Sequence, residues 1–110
     1  MLTIKAGLLG CRLTGIKGEM SVGVTIISDV ARERKLWLEL TACIDSKHKI
    51  GSLHYAGLAV DVVIREGNML LSEVAAQLRG AIGDDFEVLV ESTEHPHLHV
   101  EFQPKRAINA

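Results

Sequence analysis

Two histidines near the end of the chain, His97 and His99, alternate with apolar residues in a stretch typical of a β-strand. Residues two apart in a strand point to one face of a sheet, so the two imidazoles share a surface. A half-buried strand normally places aliphatic or aromatic side chains inward, because an unpaired imidazole loses hydrogen bonds on burial. The pair indicates a bound ion or a reaction. The alternative is an edge strand whose histidines face solvent.

A carboxylate, Asp61, interrupts the otherwise small and β-branched run 57–64. Burying it is costly unless a cation or strong hydrogen-bond donors compensate for the lost water. His54 precedes it, and a tight turn between the two would let both side chains reach the same end of the sheet. The alternative roles of Asp61 are to cap backbone amides or to pair with Lys47.

These side chains are the types that zinc accepts together, since catalytic zinc sites typically combine three histidine or carboxylate ligands. His54, Asp61 and one histidine of the 97/99 pair make such a set. An attacking water must lose a proton, and Glu94, in the loop before the pair, is the predicted general base. Glu91 is the second candidate. Glu101 is a weaker one, because alternation places it in the strand with the histidines.

The elements that position these residues follow from apolar periodicity. Spacing of three and four between 19 and 35 predicts a first helix, and a second helix covers 71–82 and ends at Gly83. Stretches 36–44, 57–64, 86–91 and 97–102 are predicted strands, the last two as an antiparallel pair. The expected fold is α+β, with one small antiparallel sheet and two main helices packed on it. The buried face of the first helix is predicted to contain Val22, Ile26, Ile27 and Val30.

Length and composition predict one domain over residues 1–110, because the chain has 110 residues and no linker or repeat divides it. Its 47% hydrophobic and 24% charged residues are typical of a globular protein. A net charge of -2 with scattered basic residues argues against a nucleic-acid partner. The oligomeric state is left open.

Cys11 and Cys43 lack partners at the short spacing of a redox or zinc-thiolate motif. Buried thiols are expected, or a disulfide between them if the protein is exported. The apolar run 6–11 is far shorter than the roughly 20 residues of a membrane span. Since no secretory signal is evident, we expect a chain that is cytoplasmic as synthesised.

Segment 52–61 resembles the Ser-x-His-x-x-Gly-x-Ala-x-Asp signature of a family of zinc peptidases. That family includes D-alanyl-D-alanine carboxypeptidases and dipeptidases, phage endopeptidase lysins and the related hedgehog signalling domain. The signature positions here are Ser52, His54, Gly57, Ala59 and Asp61. Segment 94–101 resembles the second block of the family, an acidic residue shortly before a histidine that is often in a His-x-His pair. The order of elements is similar to the family's minimal core, and the short length resembles small phage or prophage members.

The resemblance implies a zinc metallopeptidase that hydrolyses peptidoglycan peptide bonds, as a D-alanyl carboxypeptidase or an endopeptidase. His54 and Asp61 would bind Zn²⁺, with His99 as the third ligand, because the second histidine of a His-x-His pair usually binds zinc. His97 would then contact the substrate or the oxyanion, and Glu94 would activate water. In members with an acid three residues before the ligand, His97 is the ligand instead.

The family tends to carry an arginine upstream of the first block, and segment 45–49 has none. Lys47 or His48 could replace its charge, although His48 could equally be an exposed loop residue. Together with Ser52 they are the expected substrate-binding residues. The alternatives to a peptidase are a non-catalytic zinc-stabilised binding module and a phage structural or assembly protein. Action on the cell wall would require phage-mediated release.

Overall fold

The computed structural model describes residues 1–5, 18–42 and 59–103. Several predicted features lie outside these ranges: the ligand His54, the substrate-binding Ser52, Lys47 and His48, and the two cysteines. The other predicted site residues, among them Asp61, Glu94, His97 and His99, lie within the described ranges. Their part of the candidate site can therefore be described.

One mixed five-stranded sheet forms the centre of the described structure, with strand order β1-β2-β3-β5-β4. Its strands are β1 (Leu2–Ile4), β2 (Trp37–Ala42), β3 (Ala59–Glu66), β4 (Phe86–Glu91) and β5 (His97–Phe102). The prediction of an antiparallel pair at β4 and β5 is confirmed, and the α+β class with it.

The prediction of a wholly antiparallel sheet is wrong at one edge, where β1 runs parallel to β2. β1 has three residues, too few for alternation to reveal it. The chain between β1 and β2 contains the first helix, and such a crossover connection brings two strands into parallel pairing. Backbone hydrogen bonds from Leu38 N to Met1 O and from Lys5 N to Leu40 O bracket this pair.

Two helices, α1 (Gly18–Glu33) and α2 (Leu71–Ile82), pack against the sheet and share its core. Alternate residues of the three central strands are buried against them: Leu38, Leu40, Val60, Val62, Leu98 and Val100. The intervening residues of these strands therefore belong to the opposite face of the sheet. Neither helix of the described ranges is long and apolar enough to cross a membrane.

The buried face of α1 differs from the predicted one, because Val22 is 56% exposed. Met20 and Gly23 are buried instead, in line with Ile27 and Val30 at helical spacing. A Cβ at Gly23 would lie 2.9 Å from the ring of Phe86, so glycine permits the close approach of α1 to β4. The apolar stripe alone could not reveal that a glycine occupies the contact.

The boundaries of α2 agree with the sequence signals. The backbone N–H of Leu70 donates to Glu73 Oε1 at 2.7 Å, which ties down the start of the helix. Gly83 ends it with φ +91°, a conformation that favours glycine, as predicted. Arg79 then donates from Nε and Nη2 to the carbonyl oxygen of Val88 at 3.1 and 2.6 Å, which joins α2 to edge strand β4.

Candidate metal centre

Strands β3 and β5 place Asp61 directly opposite His99. Their chain neighbours Val60, Val62, Leu98 and Val100 are buried in the core, so these two side chains project from the other face of the sheet. Strand β5 lies between β3 and β4 and is not an edge strand. The alternative of a solvent-facing edge therefore does not describe the histidine pair.

The structure brings Asp61 together with both histidines of the pair. Its Oδ1 lies 3.0 Å from Nδ1 of His99, and its Oδ2 lies 3.7 Å from Nε2 of His97. The three side chains are largely shielded, with relative exposures of 13% for Asp61, 18% for His99 and 22% for His97. Each carboxylate oxygen of Asp61 thus faces one imidazole nitrogen, and solvent is largely excluded from both contacts.

The outer nitrogen of each ring is also held. His97 Nδ1 donates to the backbone oxygen of His95 at 2.9 Å, since a carbonyl can only accept. His99 Nε2 lies 3.1 Å from Oε1 of Glu101. Both rings therefore turn one nitrogen toward Asp61 and the other toward an oxygen, the arrangement that fixes a metal-binding histidine.

Glu101 is a close neighbour of His99 that the sequence predicted only as a weak candidate for the general base. It is only 8% exposed, and its Oε2 accepts a hydrogen bond from Gln103 Nε2 at 3.1 Å. The available signal was the period-two spacing of 97, 99 and 101, which places Glu101 on the face of the histidines. The spacing that makes Glu101 a weak candidate for the general base also makes it a neighbour of His99.

The carboxylates change the acidity of His99. Its hydrogen bond with Asp61 raises the pKa of the ring above the usual value, and the negative charges of Asp61 and Glu101 act in the same direction. Partial burial opposes the rise. Without a metal ion, a proton on this ring is therefore stabilised by the same groups that would support a cation.

The 3.0 Å between Asp61 Oδ1 and His99 Nδ1 is close to the spacing of two zinc ligands. Two ligands of a tetrahedral zinc at its usual bond lengths are about 3.3 Å apart. Within residues 1–5, 18–42 and 59–103, no group of three such side chains is arranged to hold a metal by itself. A site on this face would need His54, which lies outside those ranges.

A cleft of about 820 Å³ opens beside Asp61 and His97. The loop between β4 and β5 forms one wall, and Glu94 lines the cleft from that loop. Glu91 is the cross-strand partner of His97 on β4, so it shares the same sheet face. Both predicted general bases thus lie near the histidine pair. Glu94 is the favoured one because it lines the cleft.

Two cations that sequence reasoning did not single out, Lys5 and Arg65, line the same cleft. Arg65 is bound to Glu39, with Nε and Nη2 both 2.7 Å from Oε1. Lys5 follows the short β1, whose position no local pattern indicated. Positive charge near the carboxylate and histidines therefore comes from Arg65, on the same strand as Asp61, and from Lys5, which follows a strand distant in sequence.

Comparisons of the chain with models of known protein families, with curated proteins and with solved structures gave no match. What the site can do follows from its residues and their geometry.

Proposed function

We propose that the protein is a zinc-dependent metallopeptidase that hydrolyses peptide bonds of peptidoglycan. The observation that carries this proposal is the 3.0 Å approach of Asp61 to His99 across β3 and β5, beside a cleft lined by Glu94. The peptide substrate class comes from the resemblance of segments 52–61 and 94–101 to zinc peptidases that act on cell-wall peptides. The geometry of Asp61 and His99 supports the metal-binding part of the proposal.

In this proposal Asp61, His99 and His54 would hold the ion. A divalent cation there would polarise a substrate carbonyl and make water a stronger nucleophile. Glu94 accepts the proton of the attacking water and passes it to the leaving amine. His97, whose Nδ1–H donates to the carbonyl of His95, has Nε2 directed toward Asp61 and would contact the substrate.

The charges of the cleft suit a peptide with a free carboxyl end. Lys5 and Arg65 both line the cleft, and Arg65 is ion-paired with Glu39. Lys5 is exposed and lines the cleft, so it is the better candidate to attract a substrate carboxylate. A carboxypeptidase type of cleavage is therefore favoured within the proposed class.

The test combines metal content with turnover. Purified protein should contain about one zinc per chain by elemental analysis, and the zinc-loaded protein should release D-alanine from a peptidoglycan pentapeptide. Asp61→Ala and His99→Ala should lose zinc, and His95→Ala provides a matched histidine control from the adjoining loop, which should keep it. Full zinc occupancy with no cleavage of pentapeptide or cross-linked fragments would contradict a peptidase and support a binding module. Failure to take up zinc even after reconstitution would contradict the site itself.

A further inference from the structure

Glu101 is a carboxylate that the proposed chemistry does not use, although it is nearly buried. It lies on β5, two residues from His99 and on the same face. Both of its oxygens have partners: Oε1 is 3.1 Å from His99 Nε2, and Oε2 accepts from Gln103 Nε2 at 3.1 Å. Burial of a charge with matched partners on both oxygens is typical of a group that orients its neighbour.

The ring of His99 lies between two carboxylates, and the two differ in their surroundings. Asp61, at Nδ1, lines the cleft and is close to His97 as well. Glu101, at Nε2, is held by Gln103, and neither Glu101 nor His99 is among the described residues that line the cleft. The cleft side of the ring is therefore Nδ1, and the supporting side is Nε2.

We infer that Glu101 is a positioning residue that accepts a hydrogen bond from Nε2–H of His99 and so directs Nδ1 toward the metal site. This inference rests on the proposed zinc site. An acceptor at Nε2 places the proton there, and the neutral ring then has its lone pair on Nδ1, the nitrogen that faces Asp61. Gln103, Glu101 and the ring of His99 are then linked by hydrogen bonds on the Nε2 side, and Asp61 faces the ring on the Nδ1 side.

The contact between Glu101 and His99 also favours His99 over His97 as the third ligand. The supporting acceptor of His97 is a neutral backbone carbonyl in a loop. The acceptor of His99 is a charged carboxylate on a central strand, and hydrogen bonds to charged acceptors are the stronger ones. A carboxylate behind the ring also makes the opposite nitrogen a better donor to a cation.

The experiment compares Glu101→Gln with Glu87→Gln in the full chain. Glu87 is the exposed cross-strand partner of Glu101, so it offers the same loss of charge on the same face without a contact to His99. Zinc affinity, measured by competition with a chromophoric chelator, should fall about 10- to 100-fold for Glu101→Gln. The zinc affinity of Glu87→Gln should stay within about threefold of the wild-type value, since that carboxylate is exposed and screened by solvent.

A second readout uses the wild-type protein and needs no variant to fold. Long-range proton–nitrogen NMR of the zinc-loaded chain should show a proton on Nε2 of His99 and a metal-shifted Nδ1. Zinc on Nε2, or a folded Glu101→Gln whose affinity equals that of Glu87→Gln, overturns the role of Glu101 and leaves the zinc site standing. A wild-type protein that binds no zinc overturns both proposals.

Discussion

Replacing Asp61 by asparagine should change how the stability of the metal-free protein depends on pH. The carboxylate is the main cause of the raised pKa of His99, through the 3.0 Å contact between Oδ1 and Nδ1. Asparagine keeps the size of the side chain and removes the charge. Because a raised histidine pKa stabilises the folded state, this contribution is fully present below the usual histidine pKa of about 6.5. It is lost as the pH rises through the raised value.

The magnitude follows from the kind of contact. A hydrogen bond to a charged group contributes about 1.5–3 kcal/mol, and the side chains of His99 and Asp61 are only 18% and 13% exposed, so solvent screens the contact little. Asparagine can still make some of the contacts of Asp61, so the expected loss is smaller than the full range, about 1–2 kcal/mol at pH 5.5. A chain of this size loses roughly 4 °C in Tm for each kcal/mol. The expected loss for Asp61→Asn is therefore about 4–8 °C at pH 5.5 and less at pH 8.5.

The assay is thermal unfolding in the presence of a chelator between pH 5.5 and 8.5, beside NMR titration of the His99 ring. Asp84→Asn is the control, since Asp84 is exposed in the turn between α2 and β4. Relative to wild type, Asp61→Asn should show a lower pKa for His99 and a smaller fall in Tm as the pH is raised from 5.5 to 8.5. If the difference in Tm between wild type and Asp61→Asn is the same at every pH, or if the ring pKa does not move, the electrostatic reasoning is refuted.

Three further predictions concern the core and the cleft. Leu98→Ala removes a fully buried side chain beside the histidines and should cost about 2–5 kcal/mol in urea unfolding, whereas Val22→Ala on the exposed side of α1 should cost under about 0.5. Glu94→Gln should keep zinc and lower kcat by about 100-fold or more; a larger loss for Glu91→Gln would move the base to β4. Lys5→Ala should raise KM for a peptide with a free carboxyl end and leave KM unchanged for the amidated peptide, and equal effects on both would contradict a carboxylate contact.

Local patterns were sufficient where the signal lies within one element. The stripe 71–82 and Gly83 predicted α2, and alternation in 86–91 and 97–102 predicted the β4–β5 pair, all of which the structure contains. The shared face of His97 and His99 needs only the twofold repeat of a strand. Such features depend on backbone geometry over a few residues, so the sequence determines them directly.

Packing between distant elements decided what local patterns could not. The apolar spacing of α1 suggested that Val22 is buried, but the contact with Phe86 selects the side of the helix that contains Gly23. The parallel placement of β1 follows from the crossover through α1, and its three residues carry no alternation of their own. These outcomes depend on which surfaces meet, a property of the whole core.

The site combines both kinds of information. The sequence by itself determined which side chains have metal-binding chemistry and that His97, His99 and Glu101 project from one face. Only the register between β3 and β5 decided that Asp61 lies opposite His99. The physical reason is that strand pairing joins residues 38 positions apart. Hydrogen bonds and burial along the full length of both strands select that pairing, since a slip of one residue would turn these polar groups into the core.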